Sequence, residues 1–300
     1  MKYYRMRSLT AMLAALAAAA ALPAVAAMMA PPSLSVTSPS PGATIRGNSI
    51  PVSLAVHDFS IECANIGKTN TPMGEGHVHV MIDGMNMAHL ALPQCSTSFS
   101  ISTQGLSSGK HMLTVVLASD AHVMSSAPVT IPFRYEAAHS KGLPSAMTGG
   151  KPSLRILSPR SGASLGKRFN LVLAVDNFDL SCDLEGRKDV AGWGHVHVFV
   201  QQHGETTESA ATPMVAMMKT PQGMKMGRML MKQTGMSINQ LKPMMMMAEP
   251  GLVGMPCTKT IPVDLSTWHS GPAKIVVQLA NNDHMPAAGA APAVLDVTLK

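Results

Sequence analysis

The sequence has few aromatic and few charged side chains. Aromatic residues make up 4% of its 300 residues and charged residues 13%. Scattered basic residues and rare aromatics supply neither the basic stripe nor the stacking surface of a nucleic-acid-binding protein. The formal net charge of +6, part of which comes from Lys2, Arg5 and Arg7, is too small to indicate a particular macromolecular partner. Nucleic acid is therefore excluded as an expected partner.

Long apolar runs are also missing beyond the N-terminal region. The basic residues Lys2, Arg5 and Arg7 precede a run rich in alanine and leucine, and residues 24–26 supply the small side chains that a signal peptidase needs. We interpret residues 1–26 as a signal peptide, which predicts a periplasmic or secreted protein. No later segment reaches about 18 apolar residues, so we expect no integral membrane segment after cleavage.

Cysteine is rare, with four residues in the whole chain. In an exported protein these predict disulfide bonds. Of the three possible pairings, Cys63 with Cys95 and Cys182 with Cys257 keeps each bridge within one half of the chain. Because an oxidised cysteine is not a thiolate ligand, any soft metal ion would have to be bound by methionine and histidine.

The two halves of the chain repeat each other. Residues 33–42 match residues 153–162, and the sequence Gly-His-Val-His-Val occurs at residues 76–80 and again at residues 194–198. In each half, short runs rich in Val, Ile, Leu and Thr alternate with clusters of Gly, Pro and Ser. This pattern, with little helical periodicity, is typical of a β-sandwich.

We therefore predict an all-β protein made of two tandem immunoglobulin-like sandwiches. The first spans residues 33–135 and the second residues 153–300. Residues 136–152 between them carry the small and polar side chains of a linker, which favours free reorientation of the domains. The second copy is interrupted by a methionine-rich insertion at about residues 203–253.

Paired histidines mark each copy as a candidate metal site. Side chains at positions i and i+2 of a strand share one face, so each His-Val-His presents two imidazoles in one direction. A third histidine follows a later strand in each copy, and three imidazoles with a thioether or a water molecule form a donor set that suits copper. The predicted ligand sets are His77, His79 and His122 with Met124, and His195, His197 and His284 with Met285.

Two further points belong to these histidine sites. Asp120 and Asp283 are candidates for orienting an imidazole from outside the ligand set. The alternative to metal binding is that the histidines form buried hydrogen bonds with backbone carbonyls.

The remaining histidines without a counterpart in the other copy are expected to be ordinary surface residues; they are His57, His111, His139, His203 and His269.

The segment from Met214 to Met255, most of which lies in the insertion, carries 13 of the 26 methionines. Thioethers one or two residues apart can converge on a soft ion such as Cu(I) or Ag(I). The alternative is that methionine fills gaps or forms one face of a surface helix. The candidate ligands here are Met224, Met226, Met229, Met231, Met244, Met245, Met246 and Met247.

Residues 76–84 and 109–122 together resemble an uncharacterised family of bacterial exported sandwich domains. That family carries a Gly-His-His-His-type strand and a late Asp-x-x-His, and the resemblance implies the fold and an exported location. A looser similarity is to periplasmic copper-resistance proteins, which combine such a sandwich with Met- and His-rich loops. A third is to copper-zinc superoxide dismutase, although its bridging and zinc-loop histidines are not evident after His79 or His197.

These features favour an exported copper-binding protein that sequesters or delivers Cu(I) or Cu(II) without catalysis. Silver or zinc are alternative ions, and another periplasmic copper protein is a candidate partner. A second hypothesis is a noncatalytic envelope or adhesion module with structural histidines. A copper enzyme of the superoxide-dismutase type is the third.

Overall fold

The computed structural model describes residues 31–137, 141–206, 228 and 249–300. The predicted signal peptide and the eight candidate methionines of the insertion lie outside these residues. Within them the chain is built of strands, with two short 3-10 helices at Met87–His89 and Cys182–Leu184. No helix of the described ranges is long and apolar enough to cross a membrane. The prediction of an all-β fold with tandem immunoglobulin-like sandwiches is confirmed.

The first module contains nine strands in two facing sheets. One sheet has the order β1-β3-β7, and the other has the order β2-β9-β8-β5-β4 with β6 also paired to β5. The strands are β1 Ser33–Ser38, β2 Ala43–Ile45, β3 Ser49–His57, β4 Ser60–Ile61, β5 Glu75–Ile82, β6 Leu90–Gln94, β7 Ser98–Ser102, β8 Gly109–Ala118 and β9 Val129–Tyr135.

The second module repeats this arrangement strand by strand. Its sheets have the orders β10-β12-β16 and β11-β18-β17-β14-β13, with β15 paired to β14. The strands are β10 Ser153–Ser158, β11 Ala163–Leu165, β12 Arg168–Asp176, β13 Asp179–Leu180, β14 Trp193–Gln201, β15 Leu252–Gly254, β16 Thr260–Asp264, β17 Gly271–Asn281 and β18 Ala293–Leu299.

Strand β5 is buried on both of its faces. Val78 and Val80 point into the core of their own sandwich, where each stabilises the fold by roughly 1.5–3 kcal/mol. His77 and His79 lie on the opposite face and are nevertheless 0% exposed. That face is turned away from the module's own core, so what covers it is the second module. The equivalent strand β14 is buried in the same way.

The glycine before each histidine pair permits close approach of the neighbouring strand. A Cβ at Gly76 would collide with the carbonyl oxygen of Ala118 on β8, and a Cβ at Gly194 would collide with that of Ala280 on β17. This contact requires glycine at both positions. It also holds each histidine pair next to the C-terminal end of β8 or β17, after which the third histidine follows in the chain.

The two modules pack against each other through reciprocal contacts. Lys68 of the first module places Nζ 3.0 Å from Glu205 Oε2 and donates to the carbonyl of Thr267 at 3.0 Å. Its counterpart Arg187 donates from Nη2 to the carbonyl of Ser102 in the first module at 2.7 Å. The backbone N–H of Gly251 also donates to the carbonyl of Gly67 at 2.7 Å.

The segment between the modules is bound as well. Trp193 Nε1 donates to the carbonyl of Ser145 at 3.0 Å, and Gly105 N donates to the carbonyl of Lys141 at 3.1 Å. The expectation that the modules reorient freely is therefore wrong. The composition of the segment is that of a linker. The modules are nevertheless held together, because each packs over the histidine-bearing face of β5 or β14 in the other.

Two other predictions about individual residues can be compared with the structure. The disulfide pairing is confirmed, since Cys63 bonds to Cys95 and Cys182 to Cys257. The surface assignment is wrong for His111, which is 7% exposed because its ring lies between Asp83 Oδ2 at 2.6 Å and the carbonyl of Ser107 at 2.8 Å. His57, His203 and His269 are exposed, and His139 lies outside the described residues.

Replacing Gly194 by alanine is expected to destabilise the second module by roughly 1–3 kcal/mol, the usual cost of inserting a methyl group where there is no space. The added Cβ would also lie 2.8 Å from a ring carbon of Phe178. Urea unfolding measures the loss. The matched control is Gly166→Ala, where the nearest atom lies 3.9 Å away and little change is expected. Equal stability of the two variants would contradict the close approach.

Candidate metal centres

Three imidazole nitrogens converge in the first module. His77 Nε2 lies 2.8 Å from His79 Nε2 and 3.1 Å from His122 Nδ1, and His79 Nε2 lies 3.3 Å from His122 Nδ1. The three side chains are between 0% and 2% exposed. We call His77, His79 and His122 the first triad.

The second module contains the same arrangement. His195 Nε2 lies 2.9 Å from His197 Nε2 and 3.1 Å from His284 Nδ1, and His284 Nδ1 lies 3.4 Å from His197 Nε2. These residues form the second triad. The structure therefore brings together all six histidines that the sequence singled out.

These spacings fit a single metal ion in each triad. An ion about 2.0–2.1 Å from each of three nitrogens so spaced would have N–metal–N angles of roughly 85–115°. Tetrahedral and octahedral centres both use angles in this range, with the three ligands on one side of the ion. The rings are also close enough to share hydrogen bonds without an ion, as the structural alternative requires.

A tight turn brings the third histidine to the pair. His122 N donates to the carbonyl of Ser119 at 2.8 Å, and the His122 backbone has a φ of 60°. His284 has a φ of 65° in the equivalent turn. This left-handed conformation is uncommon for residues other than glycine and costs of order 1 kcal/mol or more. The same strain therefore occurs at the same ligand position in both modules.

The third histidine of each triad is held by the other module. His122 Nε2 donates to the carbonyl of Leu252 at 2.9 Å, and His284 Nε2 donates to the carbonyl of Leu90 at 2.7 Å. Since a carbonyl only accepts, the proton must be on Nε2, and the lone pair of Nδ1 is left facing the other two imidazoles. This is the orienting contact that metal-binding histidines typically make.

The orienting role predicted for Asp120 and Asp283 is not what the structure shows. The carbonyls of Leu90 and Leu252 take that place, and no property of these two leucines in the sequence indicated it. The two aspartates are also not equivalent: the carbonyl of Asp120 accepts from Gly67 as the carbonyl of Asn282 accepts from Gly186. The true counterpart of Asp120 is therefore Asn282.

The predicted thioether partners also differ between the modules. Met124 is 3% exposed and pairs with Ala118, whereas Ala280 pairs with Pro286, so proline occupies the corresponding position of the second module. Met285 is 60% exposed, unlike the buried imidazoles. The two methionines therefore occupy non-equivalent positions, and a thioether ligand at either triad stays a prediction.

Burial keeps all six imidazoles neutral. Desolvation lowers the pKa of His122 to about 4, although its hydrogen bond to Leu252 acts in the opposite direction. The pKa of His284 is lowered to about 4 for the same reason. Burial lowers the pKa of the other four histidines well below 6.5, and neighbouring imidazoles contribute, including His284 acting on His79 across the module interface. The neutral ring is the form that binds metal.

A buried carboxyl group lies beside the second triad. Glu185 is 2% exposed, and its Oε1 lies 3.7 Å from His195 Nδ1. Burial raises the pKa of this carboxyl well above its usual value. Cys182 and Cys257 lie nearby but share a disulfide, so their sulfur atoms are not thiolate ligands. The repeat did not point to Glu185, because this residue has no carboxylate counterpart in the first copy.

Comparisons with known sequences identify no relative of the chain. No protein-family model matches the chain, and no curated protein is similar to it. The similarity to copper-resistance proteins and to superoxide dismutase therefore gains no support.

Several solved structures are similar to the chain. They include the four N-terminal Ig domains of Dscam1 isoform 4.44, with 8% identity, a TM-score of 0.20, and coverage of 89% of this chain and 45% of that one. A candidate membrane-anchored protein from Corynebacterium diphtheriae has 9% identity, a TM-score of 0.23, and coverage of 90% and 59%. A tetra-tandem repeat from the extending region of a large adhesion protein has 11% identity, a TM-score of 0.20, and coverage of 89% and 48%. This chain thus spans about half the length of these proteins.

The metal-free protein is expected to lose stability as the pH falls from about 6.5 to 4. In that window the unfolded chain binds protons at histidines that remain neutral in the fold, at a cost of roughly 1.4 kcal/mol per pH unit for each fully titrating histidine. Asp120 and Glu249, whose pKa values burial raises to about 6 and about 7, act in the opposite direction. Urea unfolding of wild type against the double variant His122→Asn/His284→Asn isolates the two histidines, since asparagine tolerates the left-handed turn. Parallel pH profiles would contradict the buried neutral rings.

Proposed function

We propose that the protein is an exported metal-binding protein that holds one transition-metal ion in each triad. The observation that carries the proposal is the convergence of three buried imidazole nitrogens within 2.8–3.4 Å of one another, found in both modules. In each triad the hydrogen bond to the opposite module leaves the third lone pair free for an ion. The two disulfides fit an oxidising compartment outside the cytoplasm.

The proposed role is to hold the ion rather than to catalyse a reaction. Catalytic metal sites keep a position open for substrate, whereas structural sites are closed. The six ligands are between 0% and 5% exposed, so a substrate would have no direct approach to the ion. We therefore assign the centres to sequestration or delivery, with another exported metal protein as the partner in delivery.

Copper is the ion that we propose. Neutral imidazoles suit copper, zinc and nickel, while thioethers select Cu(I) and Ag(I). Copper is common to both donor types present in this chain, namely the triads and the methionine-rich insertion. Its Cu(II) form suits imidazole and its Cu(I) form suits both, so one metal can use all the donors.

Each triad is expected to bind one ion. Metal-free protein equilibrated with Cu(II) or Zn(II) and then desalted should retain two ions, counted by native mass spectrometry. His77→Ala/His79→Ala should retain one, because two of three ligands of the first triad are lost. His195→Ala/His197→Ala should also retain one. The control is His57→Ala, which removes an exposed histidine outside both triads. Unchanged stoichiometry in both double variants would show that the ligands are wrong.

A second candidate function is an envelope or adhesion module in which the histidines are structural. The observation in its favour is that His122 and His284 each hydrogen-bond to the opposite module. Such bonds fasten the two modules together whether or not an ion is present. In that case the rings would complete their hydrogen bonding with one another.

Thermal unfolding distinguishes the two functions. An ion that binds only the folded state at 100 times its Kd adds about 2.7 kcal/mol to the free energy of unfolding. Metal binding therefore predicts a higher Tm for wild type with Zn(II) than with a chelator, and no such rise in a variant with all four His-Val-His histidines changed to Ala. The structural alternative predicts the same Tm for wild type under both conditions.

A further inference from the structure

The second triad has a carboxyl group beside one of its rings, that of Glu185. Its Oε1 lies 3.7 Å from His195 Nδ1 and 3.4 Å from Cys257 Sγ. Its Oε2 meets no hydrogen-bond donor in the part of the chain that the structure describes. A carboxyl group this deeply buried and this poorly satisfied is costly for folding, which is a reason to look for a role in the adjacent site.

The first triad has an apolar residue at the corresponding position. Ile66 N donates to the carbonyl of Cys63 at 3.3 Å, as Glu185 N donates to the carbonyl of Cys182 at 3.4 Å, so the two residues occupy equivalent places. His77 Nδ1 and its counterpart His195 Nδ1 both lack a hydrogen-bond partner among the described residues, but Glu185 Oε1 lies 3.7 Å from His195 Nδ1. In the described part of the chain, ion pairs between a histidine and a carboxylate include His195 but no ring of the first triad.

We infer that Glu185 makes the second triad selective for a divalent cation, whereas the first triad favours a monovalent one. This inference rests on the proposed metal-binding function and deepens it. The probes are Zn(II) for the divalent class and Ag(I) for the monovalent class. The protein would then hold two ions of different charge on either side of one interface.

The physical reason is the cost of burying charge. A divalent ion among three neutral imidazoles leaves two positive charges in a site shielded from water. Its charge favours ionisation of the adjacent carboxyl group, which reduces the net charge to one. A monovalent ion in the first triad leaves one positive charge without any carboxylate. Each triad would therefore carry the same net charge when it holds its preferred ion.

Glu185 acts through His195 and not as a ligand. It lies on the Nδ1 side of the ring, whereas Nε2 faces the other two imidazoles. At 3.7 Å its Oε1 lies beyond hydrogen-bond distance of Nδ1, so its negative charge acts on the ring through space and makes Nε2 a stronger donor to the metal. Glu185 is thus a positioning and charge-compensating residue.

The test is a titration of the full-length protein, with its imidazoles labelled with nitrogen-15, by Zn(II) and separately by Ag(I) in the presence of competing chelators. Ring resonances report each triad individually, so ions taken up by the methionines do not interfere. The variants are Glu185→Gln, Glu185→Asp, Ile66→Glu and, as control, Asp183→Asn, which removes an exposed carboxylate two residues away. His77→Ala/His79→Ala assigns the resonances.

Zn(II) should bind the second triad of the wild type more tightly than the first. Ag(I) should show a weaker preference for the second triad, or prefer the first. Glu185→Gln should weaken Zn(II) binding at the second triad by roughly 10–100-fold, with a much smaller loss for Ag(I). Glu185→Asp should restore part of the Zn(II) affinity, Ile66→Glu should strengthen Zn(II) binding at the first triad, and Asp183→Asn should match wild type.

The outcomes separate this inference from the proposed function. Binding of both ions with the same preference at the two triads, or an equal loss of Zn(II) and Ag(I) affinity in Glu185→Gln, would overturn the role of Glu185 and leave metal binding intact. If neither Zn(II) nor Ag(I) shifted the ring resonances of the wild type, both this inference and the proposed metal-binding function would be overturned.

Discussion

The burial of six imidazoles between two sandwich modules is the constraint on which the rest of the structure depends. A β-sandwich normally leaves the outer face of each sheet in water. Here the outer faces of β5 and β14 carry the histidine pairs and are buried because the modules cover one another. The cross-module hydrogen bonds of His122 and His284 then join the geometry of each site to the packing of the whole molecule.

Burial has two electrostatic effects that must be balanced. It keeps the rings neutral, so that one nitrogen of each can donate a lone pair. It also makes any positive charge placed among the rings costly. Neutral donors alone suit an ion of low charge, and a nearby carboxyl group changes that balance. The asymmetry between Ile66 and Glu185 is small in sequence but large in these terms.

Local pattern and repetition were enough to predict the strands, the disulfides and the membership of both triads. The His-Val-His spacing fixes two ligands through the alternation of a strand, and the repeat indicates the third. The packing of the modules, the carbonyls of Leu90 and Leu252, and the buried state of His111 could not be predicted, because they arise from contacts between residues far apart in the chain. Met285 was assigned by its place beside His284, but the turn aligns Pro286 with Met124.

The contacts between the modules are reciprocal: Lys68 and Arg187, and likewise His122 and His284, are equivalent residues that each reach into the opposite half. This is the arrangement of a two-fold symmetric homodimer, formed here by two halves of one polypeptide. In a true homodimer any substitution appears in both subunits, so its two sites must remain identical. Joining the halves covalently removes that restriction, and one half can acquire an acidic neighbour and a long insertion while the other keeps the simpler form.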